Sequence, residues 1–181
     1  MTGSNFTLSI QEKKSFDLKT IEKLQGKVLQ VGFLDGKSAD YPGGEKVAEV
    51  AIKLEYGFLA SGEALQKEAD RKGLKIKVPE IFRVPPRPFM QTNWNENKSK
   101  YQTKVSNYIS SFEKTKLTPT TFFNLLGAEI KKDIQDSITN GDWEANAPFV
   151  IAIKESSRPL MDTGHMRQSV TWRVVDAETE T

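Results

Sequence analysis

The spacing of apolar residues predicts short strands and helices in alternation through the first third of the chain. Residues 6–10 alternate apolar with polar side chains, as a half-buried strand does, and residues 28–34 repeat this pattern. Between them, in residues 15–25, apolar side chains recur every three positions and predict a short helix. A second helical stripe occupies residues 47–54 and stops before Gly57, which can close a helix because glycine has no Cβ.

Two long helices are predicted in the second half of the chain. In residues 88–112 the apolar and aromatic side chains are spaced by three or four positions, which places them on one helix face. The following helix has clear boundaries, because Thr118 is a suitable N-cap, Pro119 suits the first helical position, and Gly141 follows the last periodic residue. Gly127 lies beside the apolar stripe of this helix and permits close packing. The connection between the two helices is short, so they are expected to be antiparallel neighbours.

The predicted elements combine into one α+β domain covering residues 1–181. We expect a small mixed or antiparallel sheet of three to four strands, packed against two long antiparallel helices and shorter helices. The chain ends in an alternating strand near residues 170–174, which is expected to pair with residues 28–34. Residues 58–80 are interpreted as an exposed excursion, either a hairpin or a flexible loop, and residues 176–181 as a disordered acidic tail.

Composition narrows the possible chemistry. The 181 residues include no cysteine and one histidine, so disulfides, thiolate metal sites and the usual zinc site are excluded. We therefore expect no metal site and no cofactor. No apolar run is long enough to predict a membrane span. The hydrophobic share of 37% and the charged share of 28% favour a slim fold whose surface is completed by partner subunits.

The segment RPLMDTGHMRQSVTW, residues 158–172, allows two interpretations. Asp162 and His165 could form a catalytic Asp–His pair of a hydrolase. Alternatively, Asp162 could cap a helical turn, Gly164 could ease the corner, and His165 could project into solvent. The structural interpretation is favoured, because no strand–turn–helix elbow supplies a nucleophile.

A basic run gives a second functional alternative. Five cations lie in the predicted excursion and could contact phosphates: Lys67, Arg71, Lys72, Lys75 and Lys77. Acidic residues are interspersed among them, no aromatic side chains are available for base stacking, and the net charge is only +2. A solvated partner-contact loop is therefore favoured over a nucleic-acid-binding arm, which remains the alternative function.

Three segments in a fixed order carry a family resemblance: VAEVAIKLEYG, VPPRPFM and RPLMDTGHMRQSVTWRVV. With a two-helix segment between the second and the third, the chain resembles the neck and tail-completion proteins of long-tailed bacteriophages. This resemblance implies an α+β structural protein of the virion, without catalytic residues, that forms a ring between head and tail. Its implied partners are copies of itself and the head connector, tail tube or terminator. The resemblance also implies that DNA passes through the ring without specific recognition.

The resemblance also directs attention to particular positions. Phe89 is expected to be buried at the start of the first long helix, and Arg87 to pair with Glu55. Leu160 is expected to seal the core beside a cap formed by Asp162. The candidate structural and interface residues are Glu55, Gly57, Arg87, Phe89, Leu160, Asp162 and Gly164. The implied location is the neck or the head-proximal tail end of the virion, after synthesis in the host cytoplasm.

Overall fold

The computed structural model describes residues 26–41, 43–161 and 163–176. The strands are β1 (Lys27–Gly32), β2 (Phe58–Ser61), β3 (Ile81–Val84) and β4 (Thr171–Asp176). The α-helices are α1 (Val47–Tyr56), α2 (Glu63–Arg71), α3 (Phe89–Ser111), α4 (Pro119–Asn140), α5 (Pro148–Lys154) and α6 (His165–Ser169). A 3₁₀ turn (Phe112–Lys114) follows α3. The mixture of helices and strands confirms the α+β class. The strand and helix predicted for residues 6–10 and 15–25 lie outside the described residues.

The first sheet joins the two ends of the described chain. Strands β1 and β4 pair antiparallel over six residue pairs, which confirms the predicted pairing of the last strand with residues 28–34. One face of this sheet packs on α4, where the side chains of Leu29 and Trp172 lie directly over Gly127. A Cβ at Gly127 would lie 2.5 Å from Cδ1 of Trp172, so the predicted close packing at this glycine is confirmed. Asp176 belongs to β4, and residues 177–181 of the expected acidic tail lie outside the described residues.

The second sheet is the antiparallel pair of β2 and β3, called the ribbon below. The four described strands therefore form two separate sheets of two strands, not one sheet of three to four. The inner face of the ribbon packs on α5 rather than on the first sheet. Phe82 of β3 contacts Phe149 of α5 edge-to-face, with ring centroids 5.1 Å apart.

The expectation of a flexible loop within residues 58–80 is wrong, because this segment contains β2 and the helix α2. The residue that fixes α2 is Ala69, which is completely buried against Val78 and Ile153 of α5. Gln66 adds a polar tie, since its Oε1 accepts a hydrogen bond of 2.8 Å from the backbone N–H of Val78. Most residues of α2 are charged or polar, so the spacing of its apolar residues does not reveal this small buried contact.

The long helices α3 and α4 form the predicted antiparallel pair. Near the start of α3, the backbone carbonyl of Phe89 accepts a hydrogen bond from Ser137, close to the end of α4. Near the end of α3, the ring of Tyr108 stacks on Phe122 in the first turns of α4, with centroids 4.0 Å apart. Thr118 caps α4, because its hydroxyl accepts a hydrogen bond of 3.2 Å from the backbone N–H three positions ahead.

The main core lies where α1, the start of α3, the second half of α4 and α6 meet. Its buried members are all apolar and come from α1, α3, α4 and residues 160–170: Val47, Ala51, Phe89, Ile134, Ile138, Leu160, Met166 and Val170. All three segments that carry the family resemblance contribute to this set. The predicted burial of Phe89 and Leu160 is thereby confirmed.

Candidate functional site

The Glu55 side chain caps α3. Its Oε2 accepts a hydrogen bond of 3.0 Å from the backbone N–H of Met90, and its Oε1 accepts one of 2.9 Å from Gln91. These N–H groups have no partner within the helix, and the positive end of the helix dipole favours a carboxylate there. Burial raises the pKa of Glu55, while the two backbone hydrogen bonds oppose this shift. Glu55 therefore joins the end of α1 to the start of α3.

Arg87 does not pair with Glu55, so that prediction is wrong. Its side chain is 1% exposed, and its Nε donates to the backbone carbonyl of Glu144 at 3.1 Å. Its Nη2 donates to Oδ1 of Asn146 at 2.8 Å. Burial lowers the pKa of Arg87, and the charge of Glu144 opposes that effect. Arg87 thus holds the connection between α4 and α5 against the start of α3.

Gly57 lies in direct contact with the proline-rich segment before α3. Its φ is +72°, a region that side chains with a Cβ disfavour. A Cβ added there would lie 2.7 Å from the backbone N of Pro86 and 2.9 Å from the carbonyl oxygen of Val84. The first two segments of the resemblance therefore pack backbone against backbone, and glycine is required for both reasons.

The third segment forms a second joint, at the turn before α6. Gly164 has a φ of +74° and precedes α6, which confirms that it eases this corner, whereas Asp162 lies outside the described residues. His165 does not project into solvent as expected. Its Nε2 lies 2.9 Å from the carbonyl oxygen of Ala39, and its ring packs on Tyr41 at a centroid distance of 4.6 Å. The chain's only histidine therefore fixes the loop after β1.

The basic residues of the predicted contact loop are placed in two ways. On α2, Lys67 pairs with Glu63 at 2.7 Å and Arg71 pairs with Glu68 at 2.6 Å. Lys72 reaches α5, where it pairs with Glu155 at 3.0 Å and donates to the Ile153 carbonyl at 2.7 Å. Lys75 and Lys77 are exposed and form no salt bridge with another described residue. Three of the five cations thus have acidic partners among the described residues.

An exposed apolar surface is the feature that sequence reasoning missed. Four large side chains are between 60% and 73% exposed: Ile52 and Tyr56 of α1, Leu59 of β2 and Ile81 of β3. Ile52 and Tyr56 lie one turn apart on one helix face, and Leu59 and Ile81 lie diagonally on the outer face of the ribbon. We call these four residues the ribbon patch. In the sequence, only the alternation of apolar and polar residues in Phe58–Ser61 indicated this surface. It was overlooked because residues 58–80 were interpreted as a loop.

A groove lies at the other end of the helix pair, where α3 and α4 are connected. It has a volume of about 360 Å³, and we call it the helix-tip groove. The stacked rings of Tyr108 and Phe122 contribute to its wall with Leu117 and Leu126. Leu125, on its edge, is 59% exposed. This groove was also absent from the sequence prediction, because an apolar stripe does not show which of its members lack a partner.

A polar cluster fixes the register of α3 against α4 between these two surfaces. The hydroxyl of Tyr101 donates to Asp133 at 2.7 Å, and Lys100 binds the same carboxylate. Tyr101 is almost completely buried beside Asn93. Burial, reinforced by the hydrogen bond to Asp133, raises the pKa of Tyr101 well above its ordinary value. The cluster holds the phenol protonated as a donor between the helices.

Comparisons of the chain with protein-family models, with curated proteins and with solved structures find no match. Within the described residues, no group of three or more histidine and carboxylate side chains is arranged to hold a metal ion. None of the helices in the same part of the chain has both the length and the apolar character needed to cross a membrane.

Proposed function

We propose that this protein is a structural subunit of the neck or tail end of a long-tailed bacteriophage. In this proposal, copies of the chain assemble into a ring that completes the tail and joins it to the head connector. The ring has its place in the virion, and the chain is present in the host cytoplasm before assembly. The phage context comes from the three-segment resemblance, and the observation that carries the role of an assembling subunit is the ribbon patch.

The ribbon patch supports assembly because it leaves large side chains in water. Covering one side chain of this size contributes about 1.5–3 kcal/mol. Exposed clusters of such residues typically mark surfaces that contact other proteins. Two of the four side chains lie on the outer face of the ribbon, on the side away from its contact with α5.

The two joints support the same proposal. Glu55, Gly57, Arg87 and Phe89 hold α1, the ribbon and α3 in one arrangement, and Leu160 and Gly164 hold the last strand. The residues that carry the resemblance thus position elements relative to one another. Such positioning suits a protein that acts through its shape and its contacts with other subunits.

Light scattering of the purified protein, alone and after mixing with isolated phage tail tubes, tests this function. We expect a defined oligomer, or incorporation of the protein at one end of the tubes. A chain that stays monomeric at all concentrations and does not join tails contradicts the proposal. An exposed-site variant, Ser99→Glu, serves as the control for non-specific effects of charge.

The alternative function is nucleic-acid binding. It rests on Lys75 and Lys77, because these two of the five cations form no salt bridge with another described residue. If these two residues contact phosphates, Lys75→Glu combined with Lys77→Glu should reduce the affinity for DNA and the salt dependence of binding. The matched control is Lys67→Glu, since Lys67 already has a partner in Glu63. Absence of binding by the unmodified protein at low salt would remove this alternative.

A further inference from the structure

The ribbon patch and the helix-tip groove lie near opposite ends of α3. Glu55, adjacent to Tyr56 of the patch, caps the first turn of α3, and β3 leads directly into this helix. The groove is lined by the last turns of the same helix, from Lys104 to Ser111. Helix α3 has 23 residues, which corresponds to a length of about 34 Å. The two surfaces are therefore separate and cannot meet within one chain.

The charges beside the two surfaces are of opposite sign. Glu49 lies one turn before Ile52 on α1, and Glu80 directly precedes Ile81, so two carboxylates flank the ribbon patch. Two exposed lysines, Lys114 and Lys116, lie in the connection beside the helix-tip groove. None of these four charged residues forms a salt bridge with another described residue.

Several other charges near these surfaces have local partners among the described residues. Beside the patch, Arg83 lies 3.8 Å from Glu144. At the groove, Glu129 pairs with Lys104 at 2.9 Å and also with Lys100. Among the described side chains, the four unpaired charges named above are thus acidic at the patch and basic at the groove. Opposite charges at the rims of two apolar surfaces favour their association and fix its direction.

We infer that the ribbon patch of one copy docks in the helix-tip groove of the next copy. The ribbon supplies the exposed side chains of Leu59 and Ile81 on its outer face, and the groove supplies an apolar part of its wall that includes Leu125, beside polar side chains such as Asn107. A contact between two different surfaces is head-to-tail, and repetition of such a contact closes a ring when the rotation between copies allows it. This inference rests on the proposed ring function, for which it names the two contacting surfaces.

Cysteine cross-linking tests the contact, because the chain contains no cysteine of its own. Three single variants are prepared at exposed positions: Leu59→Cys in the patch, Leu125→Cys in the groove, and Ser99→Cys on the middle of α3 as the control. A short bismaleimide is added to each variant alone and to pairwise mixtures, with and without tail tubes. We expect a cross-linked dimer in the mixture of the patch and groove variants, and a ladder of larger products from the double variant Leu59→Cys/Leu125→Cys.

The control reactions separate this interface from others. Strong cross-linking of Leu59→Cys with itself would show a symmetric patch-to-patch contact and overturn the inference. Equal yields in all mixtures, including those with Ser99→Cys, would show random collision and overturn it as well. Each variant is checked by circular dichroism so that a loss of folding is recognised.

A second measurement uses charge substitutions in the same two surfaces. Leu59→Glu and Leu125→Glu should each weaken self-association by at least about tenfold. A mixture of the two should recover a dimer but no larger assembly, because one intact patch and one intact groove remain. A ring that is unaffected by both substitutions would overturn the inferred interface and leave the proposed function standing. A wild-type chain that neither self-associates nor joins tails would overturn the proposed function itself.

Discussion

Glu55 and Arg87 are both buried charges, but different groups stabilise them. Glu55 binds two backbone N–H groups at a helix N-terminus, whereas Arg87 binds a backbone carbonyl and an amide oxygen. Removal of one charge therefore does not leave the other without its partners. The free-energy costs of substituting these two residues should be close to additive, in contrast to those of a buried ion pair.

The pH dependence of stability tests the environment of Glu55. Because burial raises its pKa, the folded chain holds the proton more tightly than the unfolded chain does. The contribution of this group to the free energy of unfolding is therefore greatest below the unfolded pKa, about 4.3, and is lost as the pH rises through the raised folded pKa. Glu55→Gln should remove this dependence, so the stability difference between wild type and variant should shrink as the pH rises.

Urea unfolding at a series of pH values measures this difference. Glu55→Gln should also cost about 1–2 kcal/mol throughout, since one amide oxygen replaces two acceptors. The control is Glu49→Gln, an exposed residue on the same helix, which should change stability by less than about 0.5 kcal/mol. A stability difference for Glu55→Gln that does not vary with pH would contradict the prediction.

Gly57 and Gly36 form a matched pair, because both have a φ of +72°. A Cβ at Gly57 would collide with the backbone of Val84 and Pro86, whereas nothing lies within 4 Å of a Cβ at Gly36. Gly36→Ala should cost about 1 kcal/mol, the effect of the strained φ alone. Gly57→Ala should cost at least about 3 kcal/mol, since rigid backbone must also move. Equal costs in thermal or urea unfolding would show that the close contact contributes nothing.

At the level of elements, the packing of α4 on the first sheet depends on Gly127. An alanine in place of a helical glycine usually stabilises a helix by about 1 kcal/mol. At this position the added methyl would meet the ring of Trp172, so Gly127→Ala should instead destabilise by about 1–3 kcal/mol. Urea unfolding measures the sign, and the reverse substitution at the exposed neighbour, Ala128→Gly, calibrates helix propensity. Stabilisation by Gly127→Ala would contradict the close packing.

Elements with strong periodicity were predictable from the sequence, and elements stabilised by a few contacts were not. Both long helices, the Thr118 cap and the pairing of β4 follow from spacing and capping chemistry. Helix α2 could not be found in this way, because Ala69 is its one buried residue. The partner of Arg87 was predicted wrongly because a carboxylate in another of the resembling segments was the obvious candidate for an arginine. Backbone acceptors such as the Glu144 carbonyl leave no pattern in the sequence.

At the scale of the whole molecule, many of the buried apolar residues in the described part of the chain fall into two clusters. The main core holds α1, α3, α4 and α6 together. The second cluster is small and consists of Ala69, Val78 and Ile153 with partly buried neighbours from α2 and α5. Because so few side chains connect α2 to α5, this unit should open more easily than the main core.

Hydrogen exchange distinguishes the two clusters. Ile153→Ala should remove about 2–4 kcal/mol of packing from the second cluster. Amide protection should therefore fall in α2 and in residues 74–78, while protection in α4 changes little. The control is Ile134→Ala in the main core, which should lower the protection of α4, while the protection of α2, which is set by its own easier opening, changes less. Equal loss of protection everywhere in Ile153→Ala would show that the clusters unfold as one unit.

The contact between Gly57 and Pro86 also restricts the angle between the ribbon and the axis of α3. The Glu55 cap holds the first turn of α3 at the same point. In an assembly built through the ribbon patch and the helix-tip groove, the same angle would occur at every contact between neighbouring copies. A change at Gly57 would then alter the angle between neighbouring copies as well as the stability of each copy.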